Sequence, residues 1–90
     1  MTTFEWDPRK AASNVRKHGV HFADAISVLE DDHAITLRED DDGEERWVTI
    51  GMDSLARILV VAYTWRGNSI RIISARAATP TENSHYMENI

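Results

Sequence analysis

Four arginines in one short stretch are the residues of this chain best suited to chemistry. The stretch covers residues 57–76, reads RILVVAYTWRGNSIRIISAR, and carries Arg57, Arg66, Arg71 and Arg76. A guanidinium group presents a planar set of N–H donors that can hold a phosphate or a carboxylate through two hydrogen bonds, whereas a lysine ammonium acts as a point charge. The residue type therefore points to phosphate binding.

RNA cleavage is a reaction that such cations can support without a metal ion. Attack by the 2′-hydroxyl needs a base for that hydroxyl, positive charge to stabilise the phosphorane, and an acid for the leaving 5′-oxygen. Arginine can supply the charge, and histidine or tyrosine can carry out parts of the proton transfer. Three aromatic residues near the arginines, Trp47, Tyr63 and Trp65, could stack on bases of single-stranded RNA.

A purely structural interpretation of the same residues stays open. The arginines could be rim charges that keep a small sheet soluble. His18, near the end of a predicted helix, could be a favourable helix-terminal charge or a core residue. Tyr86 could be a packing residue of the last helix. Composition alone leaves both interpretations in place.

The charge of the chain is distributed unevenly. The net charge is −5, which argues against a constitutive nucleic-acid binder. Residues 1–45 hold five basic and twelve acidic side chains, whereas residues 46–76 hold five arginines and a single acid, Asp53. The segment that carries the four arginines is therefore a basic island in an acidic chain.

Other catalytic and metal-binding classes find little support. The chain has no cysteine, no P-loop, no GxGxxG and no GxSxG, and its four histidines lack the HxxxH spacing of a helical zinc site. The acidic run 39–45, EDDDGEE, lacks the alternating ligands and distal glutamate of an EF-hand. We interpret this run as a solvated hairpin loop, keep a calcium or magnesium site as the alternative, and predict no cofactor.

The arginine stretch predicts a β-hairpin. A two-residue turn at Gly67-Asn68 places Arg57 beside Arg76 at the far end of one face, with Arg66 and Arg71 on the opposite face near the turn. Both faces are apolar at the centre, so both should be covered by other elements. The predicted pairs nearest the turn are Arg66–Ser69, Trp65–Ile70, Thr64–Arg71 and Tyr63–Ile72.

Three helices are predicted around this hairpin. Asp7-Pro8 opens the first, at about 8–18, and Gly19 ends it. Apolar residues at i, i+3, i+4 and i+7 predict a second at about 22–30. The sequence TPTE at 79–82 is a capping box for a third at about 80–88. With short strands at about 2–6, 34–37 and 46–51, the expected fold class is α+β: an antiparallel sheet of about four to five strands, two N-terminal helices and one C-terminal helix in a single domain, 1–90.

Nothing in the sequence predicts export or membrane insertion. The N-terminus lacks a basic region and the long apolar run of a signal peptide. The longest apolar run, 58–62, is too short to span a bilayer. The absence of cysteine fits a reducing compartment, so we expect a cytoplasmic protein with no membrane partner.

Several segments together resemble a known family. They are FEWDP at 4–8, KHGV at 17–20, ERW at 45–47 and IRIISAR at 70–76, with Asn14 and Tyr63-Thr64 at matching positions. In combination they resemble the BrnT family of type II toxins over nearly the whole chain. The resemblance implies a RelE-like ribonuclease fold and a metal-independent endoribonuclease that cleaves RNA and arrests growth.

The resemblance also implies partners and site residues. It implies a BrnA-like antitoxin encoded beside the toxin, a dimer or heterotetramer, and contact with operator DNA only through the antitoxin. The arginines and the terminal tyrosine match functional positions of the family, and Lys17-His18 match its KHG signature. The candidate catalytic residues are Arg57, Arg66, Arg71, Arg76, Tyr86 and His18.

A non-catalytic or weakly active interaction module is the alternative function. Such a protein would bind a partner protein through an uncovered sheet face and would not cleave RNA. The sequence pI of about 5.2 favours it. So does the absence of Lys and Arg from residues 77–90.

Overall fold

A computed structural model of the chain, which describes residues 2–41 and 43–90, has three helices and a five-stranded sheet. The predicted α+β class, with two helices before the main strands and one after them, is confirmed. No helix among the described residues is long and apolar enough to cross a membrane. The elements are β1 (Thr3–Glu5), α1 (Pro8–His18), α2 (Phe22–Val28), β2 (Ile35–Asp41), β3 (Glu44–Met52), β4 (Ile58–Arg66), β5 (Ser69–Ala77) and α3 (Pro80–Glu88).

The sheet has the strand order β1-β5-β4-β3-β2. From β2 to β5, each strand pairs with the next in antiparallel orientation, as expected from their short connections. β1 differs from the predicted antiparallel arrangement, because it pairs with β5 in parallel, with Phe4 opposite Ile70. Three residues of β1 thus complete one edge of the sheet.

The two capped helices form where the sequence predicts them. In α1, the Asp7 carboxylate accepts the Arg9 backbone N–H at 2.8 Å, and Gly19 ends the helix with φ of 68°. In α3, Thr79 and Glu82 exchange the two hydrogen bonds of a capping box. α2 ends at Val28, two residues before its predicted end, because the next three amides bond to carbonyls three residues back.

The described residues of the acidic run 39–45 form a hairpin, as predicted, but strand pairing continues to Asp41 and Glu44 instead of leaving the run as a loop. β2 continues to Asp41 and β3 begins at Glu44, since Arg38 offsets part of the charge through ion pairs of 3.3 Å to Asp40 and 2.8 Å to Glu45. Asp42 lies outside the described residues. Among the described residues, including 39–40 and 43–45, no group of three His, Asp or Glu side chains converges as a metal site would require, so the calcium or magnesium interpretation gains no support.

The β4–β5 hairpin has the predicted turn, and the four pairs nearest to it are confirmed. A register shift beside Ala62–Tyr63 then pairs Ala62 with Ser74, which leaves Ile73 as an extra residue in β5. Beyond this bulge Arg76 pairs with Val60, on the face opposite the one predicted. The expectation that Arg57 and Arg76 share a face is therefore wrong, because one extra residue exchanges the faces of the rest of the strand.

Each face of the sheet carries its own core. α1 and α2 cover the larger one, and α3 covers a smaller one on the opposite face, as the apolar centre of both faces predicts. The larger core contains Val20, Phe22, Ala25, Val28, Leu59, Val61, Tyr63, Ile70, Ile72 and Ala75. The smaller contains Ile50, Val60 and Tyr86.

A buried asparagine fixes α1 to the sheet just past the bulge. The Asn14 amide donates to the carbonyls of Val20 and Ala75 at 2.9 and 2.8 Å, and its oxygen accepts the Ala75 N–H at 3.1 Å. Three of the four hydrogen-bonding capacities of the side-chain amide are used in this way. Because Asn14 lies one turn before His18, it also sets the position of the end of α1 against β5.

Candidate functional site

His18 lies between two neighbouring clefts at one end of the sheet. A cleft of about 430 Å³ is lined by His18 together with Arg57, Asn83 and the β3–β4 turn. A smaller cleft of about 170 Å³ is lined by His18 together with Lys10 and Lys17 of α1. The imidazole is exposed and has cationic side chains on both sides. We call these two spaces the His18 clefts.

Arg57 is held in its cleft by two carboxylates. Its Nε donates to Asp53 at 2.8 Å, and one terminal nitrogen lies 2.7 Å from Asp53 and 3.4 Å from Asp24. The Asp53 side chain is fully buried, whereas about a third of Arg57 is exposed. The second terminal nitrogen of Arg57 makes no hydrogen bond within the described chain, so it remains available to a ligand.

Asp53 is an anchor for the turn before β4. Burial alone would raise the pKa of its carboxyl, but hydrogen bonds from the Arg57 backbone and guanidinium, and from the Leu55 backbone, hold that pKa below its usual value. The anionic form therefore persists and keeps Arg57 oriented. Ala56, in the same turn, has φ of 63°.

Arg76 is occupied by α3. Its two terminal nitrogens donate to the two carboxylate oxygens of Glu82 at 2.7 and 2.9 Å. Hydrogen bonding to Arg76, which outweighs burial, lowers the pKa of Glu82 to about 2, and the same bonds raise the pKa of Arg76. The pair is thus a fork-to-carboxylate clamp between β5 and α3, on the opposite face of the sheet from Arg57.

The Tyr86 hydroxyl is also hydrogen-bonded to a carboxylate. It is buried, and its hydroxyl donates to Asp31 at 2.6 Å. That hydrogen bond, together with burial, raises the pKa of Tyr86 to about 12. For Asp31, burial works to raise the pKa, but bonds from the Met52 backbone and Tyr86 more than offset it. Tyr86 therefore connects α3 to the segment after α2.

Arg66 and Arg71 lie on the other part of the sheet, on the α3-side face near the hairpin turn. In the sheet register, Arg71 of β5 lies opposite Thr64 of β4 on one side and Glu5 of β1 on the other. Towards the other edge of the sheet, Arg46 of β3 lies opposite Glu39 of β2. Neither Arg66 nor Arg71 forms an ion pair within residues 2–41 and 43–90. We call this part, which α3 leaves uncovered, the open sheet face.

The candidate residues thus fall into separate groups. The structure brings His18 and Arg57 together, places Arg66 and Arg71 on the open sheet face, and ties Arg76 and Tyr86 to α3. The sequence interpretation missed Lys10, which flanks His18 from about two turns earlier on α1. It also missed the anchors of the arginines: the signals were an acid four residues before Arg57, and a capping-box glutamate that also faces β5.

Both the sequence and the fold of the chain match known proteins. Residues 6–82 match the family described as the ribonuclease toxin BrnT of a type II toxin-antitoxin system. The chain belongs to the BrnT family. Among solved structures, it is similar to the crystal structure of the Brucella abortus ribonuclease toxin BrnT, with 29% identity and a TM-score of 0.69. That match covers 88% of this chain and 97% of the other. No curated protein matches.

Family membership confirms the predicted function at the level of the family. The chain is a toxin component of a type II toxin-antitoxin system with ribonuclease activity, and an antitoxin is its partner. The alternative of a non-catalytic interaction module is not favoured by these matches.

Proposed function

We propose that this member of the BrnT family is a metal-independent endoribonuclease that cleaves RNA by attack of the 2′-hydroxyl, with the His18 clefts as its reaction centre. The supporting observation is the position of His18, which lies between Arg57 on one side and Lys10 and Lys17 on the other. This position combines an imidazole, which can accept and donate a proton, with the cations that a phosphorane requires.

The chemistry assigns a role to each side chain. His18 takes the proton of the 2′-hydroxyl or returns one to the leaving 5′-oxygen, and the 2′-oxygen bonds to phosphorus as the bond to the 5′-oxygen breaks. Arg57 stabilises the charge on the equatorial oxygens through its free terminal nitrogen. Lys10 and Lys17 hold neighbouring phosphates. The products are a 2′,3′-cyclic phosphate and a 5′-hydroxyl.

Arg76 and Tyr86 are left outside this centre. The donors of Arg76 that could clamp a phosphate are bound to Glu82, and the Tyr86 hydroxyl is bound to Asp31. Both residues support α3 in this proposal. Arg66 and Arg71 are assigned to the partner surface described below.

A cleavage assay with three arms tests the proposal. In the first arm, purified toxin is incubated with a short RNA in EDTA. In the second, the same RNA carries a 2′-deoxynucleotide at the mapped cleavage position. In the third, the His18→Gln variant replaces the wild-type toxin. We expect cleavage in EDTA, none at the deoxy position, and a loss of about 100-fold or more in the variant. His85→Gln, also an exposed histidine, is the control and should retain full activity. Cleavage at the deoxy position, or full activity of His18→Gln, would refute the mechanism.

We further propose a BrnA-like antitoxin that binds the open sheet face. Leu37, 57% exposed, and Arg66 and Arg71, which form no ion pair in the described part of the chain, offer an apolar contact beside positive charge. The antitoxin would carry the DNA-binding domain, so that operator DNA is contacted only through it, in a heterotetramer built on an antitoxin dimer. Arg71→Glu should weaken complex formation with the product of the adjacent reading frame and leave RNA cleavage intact. Unchanged affinity would contradict this assignment.

A further inference from the structure

A cavity of about 540 Å³ lies on the α2-side face, at the end of the sheet away from the His18 clefts. We call it the Trp65 cavity. Trp65 lies eight positions after Arg57 along β4, about 26 Å of extended strand. The lining combines three kinds of side chain: aromatic and apolar groups, hydroxyls, and a carboxylate rim. They include Phe4, Trp65, Ile70, Thr36, Thr49, Tyr63 and Glu30.

A chain of three hydroxyls lines this cavity. Thr36 and Thr49 are joined by a 2.9 Å hydrogen bond, and Thr49 and Tyr63 by another of 2.9 Å. Thr49 and Tyr63 are 2% and 6% exposed. Three hydroxyls have three protons, and two of them are used in the two internal bonds. One O–H donor is therefore left without an acceptor among the described residues, whichever way the chain is oriented.

The other walls select for a flat ligand. Trp65 is 48% exposed, so a face of its ring is open to stack on a planar group. Glu30 stands exposed at the rim, and its carboxylate makes no hydrogen bond in the described chain, so it can accept from N–H groups. That negative charge disfavours a phosphate inside the cavity.

We propose that the Trp65 cavity binds a nucleobase, with guanine as the preferred base. A guanine ring stacks on Trp65 and accepts the spare hydroxyl proton at O6. Its N1–H and 2-amino group donate to the two oxygens of Glu30. As a base-recognition site for RNA, the inference rests on the proposed function, and it adds recognition of a base several nucleotides from the scissile phosphate.

Direct binding tests this inference without cleavage. The indole N–H resonances of the full chain are followed by NMR during titration with guanosine, inosine or uridine 5′-monophosphate, with inorganic phosphate as a control for binding elsewhere. We expect the Trp65 signal to shift with guanosine monophosphate, several-fold more weakly with inosine monophosphate, which lacks the 2-amino group, and not with phosphate. No shift, or the same shift with phosphate alone, would overturn the proposal.

Matched variants assign the contacts. Thr49→Val removes the central hydroxyl that orients Thr36 and Tyr63 and should weaken guanosine monophosphate binding about fivefold, and Glu30→Gln should remove the preference over inosine monophosphate. Thr64→Val, a buried threonine on the opposite face, is the control and should bind normally. Equal weakening by both threonine variants, or an unchanged preference in Glu30→Gln, would refute these contacts.

One further measurement distinguishes RNA from a free nucleotide as the source of the base. A second comparison distinguishes failure of this inference from failure of the proposed function. Competition by a guanosine-containing oligoribonucleotide assigns the base to RNA, whereas binding of the mononucleotide alone assigns it to a free nucleotide. Base binding that persists when the EDTA and deoxy-substrate assays fail would refute the proposed function only. Cleavage by the 2′-hydroxyl route without any base binding would refute this inference only.

Discussion

Tyr86 donates a 2.6 Å hydrogen bond to Asp31, which joins the last helix to the segment that follows α2. These two residues are separated by 55 positions in the chain. The same carboxylate oxygen accepts the Met52 backbone N–H at 2.8 Å, at the end of β3. One oxygen atom therefore connects three elements, and the smaller core has few apolar residues to hold α3 without it.

Tyr86→Phe should destabilise the protein by about 1.5–3 kcal/mol, because it removes a hydrogen bond to a charged group. Urea denaturation measures this change through the transition midpoint. Tyr63→Phe is the matched control, since its hydroxyl bonds to the neutral Thr49 hydroxyl and should contribute only about 1 kcal/mol. The interpretation fails if the Tyr63 variant is the less stable of the two.

The Arg76–Glu82 clamp should make stability depend on pH. The folded-state pKa of Glu82 is about 2, below its ordinary value of 4.5. Its stabilising contribution is thus present above about pH 4.5 and is lost as the pH falls toward 2. Glu82→Gln keeps a residue suited to the capping box but removes the charge. We expect the variant to be less stable than the wild type at pH 7 and equal to it near pH 2. Glu88→Gln, in the same helix, should show no such difference.

Asn14→Ala should be among the most damaging substitutions. It leaves two buried carbonyls and one buried N–H without partners, at Val20 and Ala75. We expect a loss of about 3 kcal/mol, measured by chemical denaturation. The neighbouring Ser13→Ala should change stability by less than about 0.5 kcal/mol. A stable Asn14→Ala protein would mean that the hydrogen bonds of Asn14 contribute little to holding α1 on the sheet.

Gly51→Ala should also destabilise the fold. A Cβ at this position would lie 3.1 Å from the Ala34 Cβ and from both a side-chain and a backbone atom of Val28. Overpacking of this kind costs about 1–3 kcal/mol. Adding Ala34→Gly removes one of the three contacts and should restore part of the lost thermal stability. If Gly51→Ala alone were as stable as the wild type, the end of α2 would be able to shift and make room for the added methyl group.

Local signals in the sequence were sufficient for much of the fold. Asp7-Pro8 and TPTE mark helix starts through backbone capping, which depends only on neighbouring residues, and Gly67-Asn68 sets the hairpin register near the turn. The bulge at Ile73 could not be predicted in this way. It depends on how β5 packs under α1, and a single extra residue moves Arg76 to the other face.

The candidate site was harder to predict for the same reason. Residue type identified the arginines and His18, but their pairing with Asp53, Asp24 and Glu82 depends on contacts between distant elements. The KHG segment matched a family signature without showing that His18 would lie in one cleft with Arg57. Tertiary placement, rather than residue type, separates the arginines into a held cation, a structural clamp and an open face.

The strand pairing of the acidic run also affects how the folded protein meets other copies of itself. β2 is an edge strand of seven residues, and a strand of that length could extend its sheet by pairing with another chain. The exposed Glu39, Asp40, Glu44 and Glu45 place negative charge along this edge and its hairpin partner. Two copies that approach edge to edge would bring like charges together, so this acidic border protects the toxin from aggregation while its partner is absent.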